Sequence, residues 1–93
     1  MKQIKQVGTK YTLKTMDTSE YNELTPAYHD LEHLEDAERK VREMYPKHNY
    51  HCEFYSATVF AIDVYEDEAG HKFYPEPVEV WNMSYNEWLR GLN

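Results

Sequence analysis

The sequence predicts a two-layer α+β domain, in which one main helix packs on a small antiparallel sheet in the order β-α-β-β and a short C-terminal helix follows. Three observations predict this fold: an alternating segment near the N-terminus, apolar residues repeated at threes and fours in the middle, and a second alternating run after residue 50. Because 93 residues suffice for one modest core, residues 1–93 are predicted to form a single domain.

The first strand is predicted at about residues 3–16. Its segment "KYTLKTM" alternates, and it places Tyr11, Leu13 and Thr15 on one face with lysines on the other. A glycine weakens a strand interior and often marks a bulge, so Gly8 predicts a bulge or bend.

The main helix is predicted to begin with Thr25 as N-cap and Pro26 as the first helical residue, and to end at about Tyr45 before Pro46. A shorter helix that begins near His33, with an acid three residues later in capping-box fashion, is the alternative start. The apolar stripe comprises Ala27, Leu31, Leu34, Ala37, Val41, Met44 and Tyr45.

The C-terminal third reads as strand, turn, strand. The first of these strands is long, which predicts a bulge near Ser56 and Ala57. Gly70 supplies the positive φ that a hairpin loop needs. Pro75 and Pro77 cannot donate to a sheet ladder, so they predict a sheet edge or an irregular approach.

A short final helix is predicted from "MSYNEWLRGLN". Ser84 is the expected N-cap and Glu87 completes a capping box, while Met83 and Trp88 are placed to form a hydrophobic staple. Gly91 is the expected C-terminal stop.

Charge is unevenly distributed in a chain of net charge -7. Residues 1–16 carry four lysines and no acid, whereas residues 17–38 carry eight acids and no base. Direct nucleic-acid binding needs clustered Lys and Arg, so we do not expect it. No apolar run approaches a membrane span and the chain has one cysteine, so we expect a cytoplasmic protein without a membrane partner.

Histidines at helical spacing raise the alternative of a metal site. On the predicted helix His29 and His33 are i,i+4 neighbours beside Glu32 and Asp36, so two imidazoles and a carboxylate can converge on zinc. The segment is not an HExxH motif and no third ligand can be assigned, so no cofactor is predicted.

Two further places were weighed as chemical sites. His48, His51 and Cys52 precede the strongest strand, but neighbours in a strand face opposite sides, so Cys52 is interpreted as a small buried hydrophobe. Asp63 lies mid-strand among apolar residues, so we expect it either to be partnered by a base or to lie on an exposed sheet face.

Acids and tyrosines form the predicted binding surface, with solubility as the alternative role of the acids. On the expected helix the acids stand about 5–6 Å apart, comparable to phosphates along a nucleic-acid strand. Tyrosines, among which Tyr28, Tyr55 and Tyr85 are further candidates, supply aromatic anchors. The predicted partner-binding residues are Glu32, Glu35, Asp36, Glu43, Glu66, Asp67, Glu68, Tyr65 and Tyr74.

The segments "KYTLKTM", "EHLEDAERKVREMYP" and "ATVFAIDVYEDEAGHKFYPEPVEVW" resemble, in layout, size and acidity, small phage-encoded inhibitor proteins of the anti-CRISPR type. The resemblance covers residues 10–81. It implies a protein that acts by binding one host macromolecule and obstructing a nucleic-acid site, and it carries over no individual residue. The uneven charge and the lack of a catalytic motif favour a non-enzymatic inhibitor that presents acidic and tyrosine-rich surface to a basic protein that handles nucleic acid. The alternatives are a metal-binding protein or metal-dependent enzyme that uses His29 and His33, and a homo-oligomer subunit joined through the proline-bearing edge.

Overall fold

The computed structural model describes residues 4–20, 23–47 and 53–92. This part of the chain is mostly antiparallel β, with 59% of it in strands and the sheet curled into a half barrel. The elements are β1 (Ile4–Glu20), β2 (Glu23–Leu31), a 3-10 turn (Leu34–Asp36), α1 (Ala37–Met44), β3 (Phe54–Asp67), β4 (Lys72–Phe73), β5 (Val78–Ser84) and α2 (Tyr85–Arg90).

The two long strands, β1 and β3, pair at the centre of the sheet. β2 pairs with the other side of β1, from Tyr11 onward. On the far side of β3, β5 pairs with the N-terminal half and β4 with the C-terminal end. Every pairing is antiparallel, and β1 before Tyr11 pairs with β3 alone.

The predicted fold with one main helix is wrong. Thr25 and Pro26 do not start a helix but lie in β2, and Pro26 pairs with Met16 on an edge strand, where a missing N–H costs no ladder bond. An i,i+4 apolar spacing fits one face of a helix, but four is also an even number, so Ala27 and Leu31 share a face of a strand equally well. α1 spans only Ala37–Met44, and the alternative start near His33 is nearly correct because His33 is the N-cap of the 3-10 turn.

The core lies on the face of the sheet that α1 and α2 cover, here called the inner face. Leu13 and Val59 from the central strands, together with Val41 from α1, are fully buried there. The Phe54 ring packs between two others, with centroids 5.2 Å from Tyr45 and 5.1 Å from Trp88. These rings join both helices to the sheet in one cluster.

Two buried polar side chains of β1 also lie in this core, Thr15 and Asp17. The Tyr45 hydroxyl hydrogen-bonds to both, and it donates to the Asp17 carboxylate. A buried polar group without a partner costs about 1–3 kcal/mol, so Tyr45 removes a penalty from both residues.

Several local predictions are confirmed. The β1–β3 register shifts between Gln6 and Gly8, as expected of a bulge at the glycine. The irregularity predicted near Ser56 and Ala57 lies one residue earlier, because the same pairing skips Tyr55. The alternation of β1 is also correct, since Leu13 is buried on the inner face.

The C-terminal signals are confirmed as well. Gly70 has φ 85° in the turn between β3 and β4. Pro75 and Pro77 lie in the irregular segment between β4 and β5. α2 begins with a complete capping box formed by Ser84 and Glu87.

The molecule is elongated, with extents of 57 × 27 × 16 Å. Residues 4–10 of β1 and residues 68–80 are all exposed, whereas the core is concentrated near the other end of the central strands. The chain is therefore a helix-covered body that extends into a β-ribbon. Within the three described ranges, no helix combines the length and apolarity needed to cross a membrane.

Candidate protein-binding surfaces

A groove of about 550 Å³ lies between the end of β2 and α1, and it is here called the acidic groove. Leu31 and Met44 contribute apolar lining, and the backbone carbonyl of Asp30 accepts a hydrogen bond from Lys40 at 3.3 Å. The remaining charged lining residues are Glu32, Asp36, Arg39 and Glu43.

Arg39 is held by two acids of this groove. Its guanidinium lies 3.3 Å from the Asp36 carboxylate and 3.0 Å from that of Glu43. The hydrogen bond with Asp36 is the main reason that the pKa of Arg39 is raised above its ordinary value, and Glu43 adds to the effect. Two of the predicted binding acids therefore already share a partner within the chain, and its single positive charge offsets one of their two negative charges.

Within residues 4–20, 23–47 and 53–92, Glu32 has no such partner. Its one ion-pair contact there is with the His33 imidazole at 3.9 Å, and that contact carries charge only when His33 is protonated. The Glu32 side chain is 88% exposed at the rim of the groove. It is thus the predicted acid best placed to meet a positively charged partner.

The predicted continuous acidic helix face is not formed. Glu32 precedes the 3-10 turn, Glu35 lies in that turn, and only Glu38 and Glu43 belong to α1. Glu38 pairs with Arg42 at 3.1 Å. The groove brings Glu32, Asp36 and Glu43 together and leaves Glu35 outside its lining.

The acids at the hairpin tip have different surroundings. The Asp67 side chain is 4% exposed and accepts hydrogen bonds from the backbone N–H groups of Ala69 and His71, both at 2.9 Å. The N–H of His71 is the main reason that the pKa of Asp67 lies below its ordinary value. Asp67 therefore stabilises the turn. Of the other two acids, Glu66 pairs in register with Lys5 and Lys72, and Glu68 is exposed.

The two predicted tyrosine anchors also differ. Tyr65 is half-buried and lies opposite Gln6 on one side and Phe73 on the other. Tyr74 is 54% exposed, and the Lys10 Nζ lies 5.6 Å from its ring centroid, within cation–π range. Tyr74 is therefore the more accessible ring.

The metal-site alternative required His29 and His33 to lie one turn apart on a helix, and this geometry is wrong. His29 lies in β2 opposite Leu13, and its Nε2 is buried without a hydrogen-bond partner, whereas His33 follows the strand. In residues 4–20, 23–47 and 53–92 no group of three or more His, Cys, Asp or Glu side chains is arranged to hold a metal ion. The interpretation of His48, His51 and Cys52 falls on 48–52, outside the described residues.

Asp63 has hydrogen-bond partners, but neither of them is the base that one of the two predicted alternatives required. It accepts hydrogen bonds from the Gln6 amide at 3.2 Å and from the Thr9 hydroxyl at 3.0 Å. Both partners are neutral and lie on β1, so the contact joins the two strands of the ribbon. Nothing in this arrangement resembles a proton-transfer site.

The sequence reasoning missed a second surface, on the side of the sheet away from the core, here called the outer face. A shallow groove of about 390 Å³ lies there. Phe60 and Ile62 are two residues apart in β3, and Lys10 and Lys14 flank Thr12 at alternate positions of β1, so each set lies on one face, but only the register of β1 on β3 shows that the two sets lie side by side. The lining residues are Thr12, Lys14, Tyr28, Phe60, Ile62 and Pro77.

The two surfaces differ in chemistry. The acidic groove carries carboxylates around an apolar base, whereas the outer face carries aromatic and aliphatic side chains beside lysines. No protein-family model matches the chain, and neither a curated protein nor a solved structure shows significant similarity to it. The case for a function therefore depends on the chemistry of these surfaces.

Proposed function

We propose that the chain is a non-enzymatic, cytoplasmic inhibitor that binds a basic, nucleic-acid-handling protein through its acidic groove. The observation that carries the proposal is the exposed carboxylate of Glu32 beside an apolar base in a chain of net charge -7. Inhibition of the anti-CRISPR type is the form that the small size and acidity of the chain favour.

The groove has the chemistry to receive an arginine or lysine side chain. Such side chains pack their methylene stems on apolar surface and keep their charge at the rim. Leu31 and Met44 offer that surface, and Glu32 offers the charge at the rim. Arg39, held between Asp36 and Glu43, shows that carboxylates of this groove bind a guanidinium.

Binding of the partner's basic side chain in the groove accounts for inhibition. A partner's arginine or lysine that is paired with Glu32 is no longer available to neutralise a phosphate. Because the net charge of the chain is negative, encounter with a basic partner is accelerated at low ionic strength.

Affinity capture from source-cell extracts at low salt, with mass spectrometry of the eluate, tests the proposal. We expect a basic nucleic-acid-handling protein that elutes as salt is raised, because exposed charge pairs are screened. The triple variant Glu32→Gln, Asp36→Asn, Glu43→Gln should capture much less of it, and Glu68→Gln at the hairpin tip is the matched control. Equal capture by the triple variant would remove the acidic groove from the account.

A further inference from the structure

The outer face carries a strip of aromatic and aliphatic side chains among its polar residues. Antiparallel sheets commonly bury one face and present polar side chains on the other. Here Phe60 and Ile62 of the central strand β3 point away from the core, and Tyr28 beside them is 64% exposed. Both described helices pack on the inner face, so no described helix covers this side.

The sheet register places lysines against this apolar strip. Lys10 of β1 pairs with Ile62 of β3, and Lys14 of β1 pairs with Tyr28 of β2 on the other side of β1. Directly paired residues have Cβ atoms about 4.5–5.5 Å apart, so both lysines lie beside this strip. Among the described residues Lys14 is the only charged one in the groove lining, and the Lys10 Nζ lies 5.6 Å from the Tyr74 ring centroid.

We propose that the outer face docks an acidic segment of a partner protein, which inserts an apolar side chain into the groove between Tyr28 and Phe60. The carboxylates of that segment meet Lys10 and Lys14. Aromatic anchors in a pocket, with complementary charge around them, are the arrangement that concentrates binding energy in protein interfaces.

A second copy of the chain fits this face less well. The register aligns Asp30, Thr12, Phe60 and Glu79 across the four strands. Two copies can stack face to face about a two-fold axis parallel to the strands, and Asp30 of one copy then lies over Glu79 of the other. If the two-fold axis is perpendicular to the strands, Lys10 of one copy lies over Lys14 of the other. Like charges oppose in both cases, which disfavours a second copy. Lys14 lines the groove whereas Asp30 and Glu79 do not, so an acidic segment of a distinct partner, seated in the groove, is the better occupant.

Backbone amide shifts in a peptide titration test the proposal. The probe is the peptide acetyl-Glu-Glu-Phe-Glu-Glu-amide, and acetyl-Lys-Lys-Phe-Lys-Lys-amide is its charge-reversed control. We expect the acidic peptide alone to shift resonances of Lys10–Lys14 and Phe60–Ile62. Shifts with both peptides, with neither, or only at the acidic groove would overturn the proposal.

Surface variants locate the contact without disturbing the core. Tyr28→Ser should weaken binding of the acidic peptide roughly tenfold, as loss of an aromatic hot spot does. Tyr55→Ser is the matched control, since Tyr55 is 55% exposed and does not line this groove. Lys14→Gln should also weaken binding, whereas Lys47→Gln should not. A stable dimer in sedimentation that Tyr28→Ser dissociates would assign the face to a second copy instead.

Discussion

The indole Nε1 of Trp88 donates a hydrogen bond to the backbone carbonyl of Tyr45 at 2.9 Å. This bond joins α2 to the residue that ends α1. In return, the Arg42 guanidinium of α1 donates to the backbone carbonyl of Trp88 at 3.2 Å. Each of the two short helices therefore donates a side-chain hydrogen bond to a carbonyl at the C-terminal end of the other.

Trp88→Ala should lower the free energy of unfolding by about 3–5 kcal/mol, because it removes a fully buried ring from the core. Trp88→Phe keeps most of the packing and loses only the hydrogen bond, so its cost should be about 1–2 kcal/mol. Urea denaturation measures both. Leu89→Ala, at a neighbouring exposed position, is the control, and a cost for it as large as that of Trp88→Ala would refute the assignment.

Gly91→Ala should destabilise the protein by about 1 kcal/mol. A Cβ at Gly91 would lie 2.2 Å from the Arg42 guanidinium, so Arg42 would have to move and its hydrogen bond to Trp88 would weaken. Gly8→Ala is the matched control, because a Cβ there meets nothing within 4 Å. Thermal unfolding should show a lower midpoint for Gly91→Ala only. Equal shifts in both variants would mean that the approach of Arg42 is not the cause.

The turn at the ribbon tip should loosen in acid. The folded pKa of Asp67 is lowered chiefly by the N–H of His71, so its carboxylate stabilises the turn above the ordinary carboxyl range. That stabilisation should decline as the pH falls below about 4 and disappear below the lowered folded pKa. Amide exchange of Ala69 and His71 measures it, and in Asp67→Asn the exchange should lack this pH-dependent step. A wild-type turn whose protection is unchanged by acid would contradict the role of Asp67.

His29→Leu should raise the free energy of unfolding at pH 7 by up to about 1 kcal/mol. The imidazole Nε2 is buried without a partner, and replacing it with an apolar side chain removes an unsatisfied group. His33→Leu is the control, because the His33 side chain is 59% exposed. A destabilised His29→Leu in chemical denaturation would show that the imidazole contributes a packing role that leucine cannot fill.

Local signals in the sequence predicted several local features correctly, although the predicted fold class was wrong. The capping box of Ser84 and Glu87, the positive φ of Gly70 and the alternation around Leu13 each depend on a few neighbouring residues. β2 could not be predicted in the same way. Its identity depends on pairing with β1, a contact between distant residues, and the even spacing of Ala27 and Leu31 fits a helix and a strand alike.

The candidate surfaces show the same limit. The sequence identified Glu32 as a surface acid, but it could not show that Arg39 forms ion pairs with Asp36 and Glu43. It also placed Asp67 among binding residues, although a carboxylate that accepts bonds from N–H groups two and four residues ahead stabilises a turn. The outer face could not be predicted from the sequence, because its residues are brought together by the register of three strands.

The most direct test of the proposed function is the affinity of the captured partner for the wild-type chain and for Glu32→Lys, measured by calorimetry at low and high salt. Charge reversal at the rim should weaken binding at least tenfold at low salt, and the difference should shrink as salt is raised. Glu68→Lys should bind nearly as the wild type does. Equal affinities of Glu32→Lys and the wild type at low salt would contradict binding through the acidic groove.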